Sequence, residues 1–113
     1  MVDDPALVQN GSLDIVAANK LGRALYRPVF ENRPRPNLAR YVFLDEDSLR
    51  FFDDWDAIAD DAVAMLRLEQ ARTPSRVIDA LITELSQQSD AFDVRWSARD
   101  VAAVSYTHLT LPT

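Results

Sequence analysis

Cysteine is absent from the chain, which excludes a disulfide framework, a thiolate nucleophile and any cysteine-ligated zinc site. Glycine is almost as scarce: two residues cannot build the glycine-rich loop that lets backbone N–H groups cradle a phosphate. The single histidine, His108, has no histidine partner with which to form a zinc triplet. It also lies in no setting that would complete a nucleophilic triad. The serines stand outside any nucleophile-elbow pattern, so the catalytic set is empty and the sequence is not read as an enzyme; no cofactor and no metal are expected. No apolar run approaches the ~20 residues of a membrane-spanning helix. The first residues, Met1-Val2-Asp3-Asp4-Pro5, are acidic where a secretion signal is basic, so neither export nor membrane insertion is expected and the cytoplasm is the simplest location. Net charge is -6, the wrong sign for a chain that neutralises phosphates, so this chain alone is not expected to bind DNA.

What is present suits one modest globular core: 113 residues, 48% of them hydrophobic and 27% charged. After the turn dipeptide Asn10-Gly11, Leu13, Ile15 and Ala17 share one period-2 face, which predicts a strand over residues 12–19. Asn19 suits an N-cap for a short helix over 20–26, with Leu21, Ala24 and Leu25 at helical spacing. Residues 27–37 hold three prolines and three arginines with little periodicity, the pattern of an ordered surface loop. Asn37 is read as capping the turn over 38–43. Asp45 is read as capping a following helix through a Leu44–Leu49 staple.

A longer amphipathic helix opens after Asp53-Asp54. It carries Trp55, Ile58, Ala59, Ala62, Val63 and Leu66 inward, with Asp56, Asp60, Arg67 and Glu69 outward. Thr73-Pro74 reads as a cap with proline at the first helical position, followed by the stripe Val77, Ile78, Leu81, Ile82 and Leu85. Ser89 caps a last helix with Phe92 and Trp96, and Val101 to Val104 are suited to a further strand. The predicted class is α+β: several helices on a small antiparallel sheet of which only part is present.

The order of these motifs resembles the ligand-binding domain of MmyB-like regulators. Pro5-Ala6-Leu7 and Leu13-Asp14-Ile15-Val16-Ala17-Ala18-Asn19, running into Arg23-Ala24-Leu25, match the family's opening. Asn37-Leu38-Ala39-Arg40-Tyr41-Val42-Phe43-Leu44-Asp45 match its most specific box. Trp55, Leu66-Arg67, Leu85-Ser86, Ser89, Phe92 and Trp96 follow in order. The resemblance implies a PAS-like sensor over residues 1–104 of a Cro/repressor-type helix-turn-helix transcription regulator. DNA would then be contacted only through a domain preceding this chain. Beyond Val101 the family's His-Pro turn is not matched, since Leu109 follows His108, so residues 105–113 are expected to be a non-native tail.

Several residues admit two readings. Asp53, Asp54, Asp56, Asp60 and Asp61 are carboxylates of the kind that hold hard cations, yet at a helix start they also complement the helix dipole, the reading preferred here. Arg40 and Arg67 are expected either to pair with Asp45 or Asp54 or to meet a ligand's head group. Phe43, Phe52, Trp55 and Leu66 serve as core or as the wall of an enclosed ligand site. With Arg40 and Arg67 they form the candidate binding set for a small apolar effector such as a fatty acid. The alternative is a module that dimerises the regulator without a ligand, holding two DNA-binding heads at half-site spacing.

Overall fold

The computed structural model describes residues 4–31 and 34–98, and its architecture begins at Asn10. The Asn10 side-chain carbonyl accepts from the N–H groups of Ser12 and Asp14 at 3.0 and 2.9 Å, and its amide donates to the Asp14 carboxylate at 3.1 Å. An asparagine that satisfies turn N–H groups with its own side chain closes the turn locally. The turn joins β1 (Leu7–Gln9) to β2 (Ile15–Ala18) as an antiparallel pair, with Leu7 opposite Ala18, Val8 opposite Ala17 and Gln9 opposite Ile15. Val16 is thus the extra residue of a bulge.

Leu13, inside the turn, has φ 68°. That left-handed conformation costs a non-glycine residue about 1–2 kcal/mol, and here it is held by burial of the side chain and by Leu38 N–H donating to the Leu13 carbonyl at 2.9 Å. These two features break the expected period-2 face. The strand starts only at Ile15, Leu13 and Ile15 enter different apolar clusters, and Ala17 is exposed.

Asn19 caps α1 (Lys20–Leu25), accepting from Gly22 N–H at 2.7 Å, and it also ties the N-terminal segment by accepting from Ala6 N–H at 3.0 Å. The apolar residues at helical spacing do not face the core: Leu21, Ala24 and Leu25 are exposed, and Gly22 is the buried residue. Any Cβ at position 22 would collide with the Ala6 carbonyl oxygen, so the helix docks through its glycine rather than its leucines. Residues 27–30, read as loop from the sequence, form the short helix α2 (Arg27–Phe30). Pro28 sits in its first turn, where a missing N–H breaks no helical bond, and Val29 is fully buried.

Asn37, itself buried, caps α3 (Leu38–Leu44) by accepting from Arg40 N–H at 3.0 Å. The same side chain donates to the Ser12 carbonyl and the Asp14 carboxylate at 2.8 and 2.9 Å. One residue therefore starts a helix and fastens it to the hairpin. Asp45 ends α3 instead of capping the next helix. Its carboxylate accepts from Asp47 N–H at 2.9 Å, α4 (Ser48–Phe51) begins after Asp47, and Leu49, the expected staple residue, is exposed.

Three longer helices complete the fold: α5 (Trp55–Arg72), α6 (Arg76–Gln88) and α7 (Asp90–Ser97), capped by Asp54, Ser75 and Ser89. The cap of α6 lies two residues beyond the Thr73 expected from the sequence. Thr73 closes α5, its N–H donating to Glu69 at 2.8 Å, since a residue before proline is pushed out of the helical region, and the Ser75 hydroxyl accepts from Ile78 N–H at 3.2 Å. Val77 is exposed, while Ile78, Leu81, Ile82 and Leu85 are buried as the stripe requires.

The apolar residues gather into two clusters. The larger centres on Leu13, Leu66, Ile78, Leu85 and Phe92 with Phe43 and Trp96 against it; the smaller holds Ile15, Val29 and Tyr41 with Tyr26, Phe51 and Phe52. Each fully buried side chain of this size contributes about 1.5–3 kcal/mol. The class is α+β, with a two-stranded antiparallel sheet and seven helices among the described residues. Among those residues no helix is long and apolar enough to cross a membrane. The strand expected at Val101–Val104, His108 and the tail 105–113 lie outside the described residues.

Candidate functional site

A seam of aromatic rings runs across α3, α5 and α7. Phe43 stands edge-on to Trp55 at 5.8 Å between ring centroids and to Phe92 at 5.1 Å, and Phe92 stacks on Trp96 at 5.6 Å with 14° between planes. Local chemistry orients it. The Trp55 indole N–H lies 3.1 Å from both the Val42 carbonyl and the Ser48 hydroxyl, and that buried hydroxyl is 2.8 Å from the Val42 and Asp45 carbonyls. Phe92 is placed by the Ser89 cap, whose hydroxyl accepts its N–H at 3.1 Å. Phe92 is fully buried, whereas Phe43, Trp55 and Trp96 are only partly so.

Two arginines border the seam. The Arg67 guanidinium lies 5.0 Å over the Trp96 ring and donates to the main-chain carbonyls of Arg95 and Trp96 at 3.2 and 3.4 Å. Arg95 lies 5.2 Å over Trp55 and donates to Asp60 and Asp56, each at 2.9 Å, and to the Ala91 carbonyl at 3.0 Å. A guanidinium stacked on an indole keeps its edge donors available in the ring plane for carboxylates or carbonyls. Arg67 was expected to face outward; it is half-buried against α7.

The structure thus divides the residues singled out from the sequence. Phe43, Trp55 and Leu66 come together in and around the larger cluster, with Arg67 at its edge through Trp96. Phe52 belongs to the smaller cluster, 4.9 Å from Phe51 and 6.1 Å from Tyr41. Arg40 stands apart on α3, paired with Glu84 of α6 rather than with Asp45 or Asp54. Its Nη2 and Nε lie 2.8 and 3.0 Å from the two carboxylate oxygens. That hydrogen-bonded pairing holds the Glu84 carboxyl below the usual glutamate range and raises the Arg40 guanidinium further.

Asp54 is spent on the cap of α5, and Asp56 and Asp60 on Arg95. Among the described residues no group of three or more His, Cys, Asp or Glu is placed to hold a metal ion. Two members of the seam's border were not among the candidate binding residues read from the sequence: Trp96 was named only as a helix residue and as the end of the family's motif order, and Arg95 was not singled out. The readable signal was the i, i+4 carboxylate pair Asp56 and Asp60 beside an arginine adjoining a tryptophan, but only packing brings them together.

No curated protein and no solved structure matches the chain significantly. Residues 1–112 match the MmyB-like transcription regulator ligand binding domain, the resemblance that the motif order implied, and the chain belongs to that family, as the ligand-sensing regulatory domain of a transcription regulator.

Proposed function

We propose that this domain binds a small apolar effector, a fatty acid or a molecule of similar chain, on the aromatic seam between α3, α5 and α7. Occupancy is then passed to a cytoplasmic helix-turn-helix domain that makes the DNA contacts, in a regulator that works as a homodimer. The observation that carries the reading is the seam itself: partly exposed Phe43, Trp55 and Trp96 offer apolar wall from three helices, and a guanidinium lies over each indole. A ligand that binds one packing of these helices better than another shifts their equilibrium by that difference in affinity. Each methylene removed from water contributes ~0.8 kcal/mol, so a chain of about ten gains about 8 kcal/mol before the cost of association.

Arg67 is the preferred head-group residue. It already lies on the seam, whereas a ligand carboxylate at Arg40 would have to displace Glu84. The wall we propose is Phe43, Trp55 and Leu66, joined by Phe92 and Trp96, with Phe52 left to the second cluster. No catalytic step, metal or cofactor enters this reading.

Solvent extraction of the natively purified protein followed by mass spectrometry tests it. A stoichiometric lipid is expected, with occupancy reduced by Leu66→Trp. Arg67→Gln is expected to weaken binding of a fatty acid but not of the alcohol of the same length, and Arg40→Gln to leave both unchanged. An empty extract, together with no saturable binding of added fatty acid, would favour dimerisation without a ligand, to which the exposed Met65 and Leu68 of α5 also point.

A further inference from the structure

Helix α5 is apolar on two opposite sides. On its inner side Ala62, Val63 and Leu66 fill the larger cluster, and Ala59 is buried in line with them. Its outer stripe of Asp61, Ala64, Met65, Leu68 and Arg72 is exposed along its length, Met65 at 46% and Leu68 at 56%. At 3.6 residues per turn these five positions fall within an arc of about 100°, so they form one strip rather than scattered apolar residues. The flanks of the helix are occupied: Asp56 and Asp60 hold Arg95 of α7 on one side, and Glu69 lies against Gly11 of the hairpin turn on the other. Asp61 and Arg72 have no ion pair or side-chain hydrogen bond among the described residues.

The strip reads the same in both directions. From the helix centre outward each half carries an apolar side chain, Met65 or Leu68, and then a charge, Asp61 or Arg72, of opposite sign at the two ends. We infer that the outer face of α5 is the surface on which two copies of this chain pair, antiparallel about a twofold axis at the level between Leu66 and Arg67. This sets Met65 against the partner's Leu68 and Asp61 against the partner's Arg72, each contact occurring twice, as an isologous interface requires. A parallel pairing would instead bring the two Asp61 carboxylates together and the two Arg72 guanidinium groups together, so charge chooses the antiparallel arrangement. Ala64 keeps the strip low enough for the helices to approach. The inference rests on the proposed homodimer for its purpose but not on the ligand, because the strip faces away from the seam.

The cysteine-free chain makes the test direct. Sedimentation of the full chain is expected to show a dimer. Asp61→Arg and Arg72→Asp are each expected to weaken it at least tenfold, while the two together in one chain restore it, a rescue that mere damage to the fold would not produce. Under mild oxidation a chain carrying both Asp61→Cys and Arg72→Cys is expected to form a covalent dimer, whereas Asp61→Cys alone is not. In the antiparallel pair the two copies of position 61 lie about 16 Å apart along the axis. A monomer at every concentration would overturn the inference, leaving the strip to residues 99–113 or to a different protein. Efficient cross-linking by Asp61→Cys alone, or no rescue by the double charge swap, would overturn it equally. Lipid extraction is unaffected by any of these outcomes, so failure here and failure of the effector reading are separable.

Discussion

Leu13 sets two effects of comparable kind against each other. Its φ of 68° is a conformation that glycine adopts freely and leucine does not, yet its side chain is 1% exposed, in the larger cluster. Removing a buried leucine side chain costs about 2–5 kcal/mol, more than the strain releases, so the leucine is kept. A discriminating comparison follows. Leu13→Ala is expected to destabilise by about 2–4 kcal/mol, and Leu13→Gly by no more than Leu13→Ala, because relief of the left-handed strain offsets glycine's extra backbone entropy of roughly 1 kcal/mol. Urea unfolding of the two variants measures this, and a glycine variant clearly less stable than the alanine variant would show that Leu13 is unstrained.

At the scale of elements, the contact between α3 and α6 is fastened by Arg40 and Glu84, with side chains 42% and 30% exposed. At that exposure the pair is screened and contributes roughly 0.2–1 kcal/mol. Its sign with pH is definite. The Glu84 carboxyl is depressed in the folded protein, first of all by the hydrogen bond from Arg40. Its contribution is therefore present above the unfolded glutamate value of ~4.3 and is lost as pH falls through the lower folded value. Glu84→Gln is expected to lower stability slightly at neutral pH and by progressively less below about pH 4, where the wild-type carboxylate also becomes neutral. Unfolding followed from pH 7 to pH 3 checks it, the idea failing if the difference grows on acidification.

Caps at this scale were mostly legible. Asn19, Asn37, Asp54 and Ser89 act where their side chains stand next to an apolar period. Ser75 was masked by the stronger-looking Thr73-Pro74, and Asp45 by a staple whose leucine turned out to be exposed.

For the whole molecule, the two apolar clusters share α3, which sends Ala39 into the larger and Tyr41 into the smaller. The hairpin does the same through Leu13 and Ile15. Neither cluster can be lost while the other keeps its walls, so the chain is expected to unfold as one unit. Phe92→Ala, which empties a fully buried site of the larger cluster at a cost of about 3–5 kcal/mol, is expected to accelerate amide exchange at Val29 and Tyr41 by the same factor as at Leu66. Exchange that rises only around Leu66 would reveal two independent units. The candidate site obeys the same logic, since its rings come from α3, α5 and α7 and exist as a seam only when all three are docked.

Sequence alone determined the features whose physics is contained within a few residues: the caps at Asn19, Asn37 and Ser89, the inner stripes of α5 and α6, the turn at Asn10, and the order of motifs that marks the family. A cap reaches three residues and a helical stripe repeats every three or four, so both are complete in a short window. Tertiary structure decided where long-range partners were chosen. Arg40 had several carboxylates available and met Glu84, 44 residues away; Arg95 met Asp56 and Asp60, 39 and 35 residues away. It also decided that α1 docks by Gly22, that Phe52 leaves the seam, and that a turn leucine spends strain to reach the core. Charges and apolar side chains on one helix are locally equivalent, and only the packing of every element at once distinguishes the face that is covered from the face that is not.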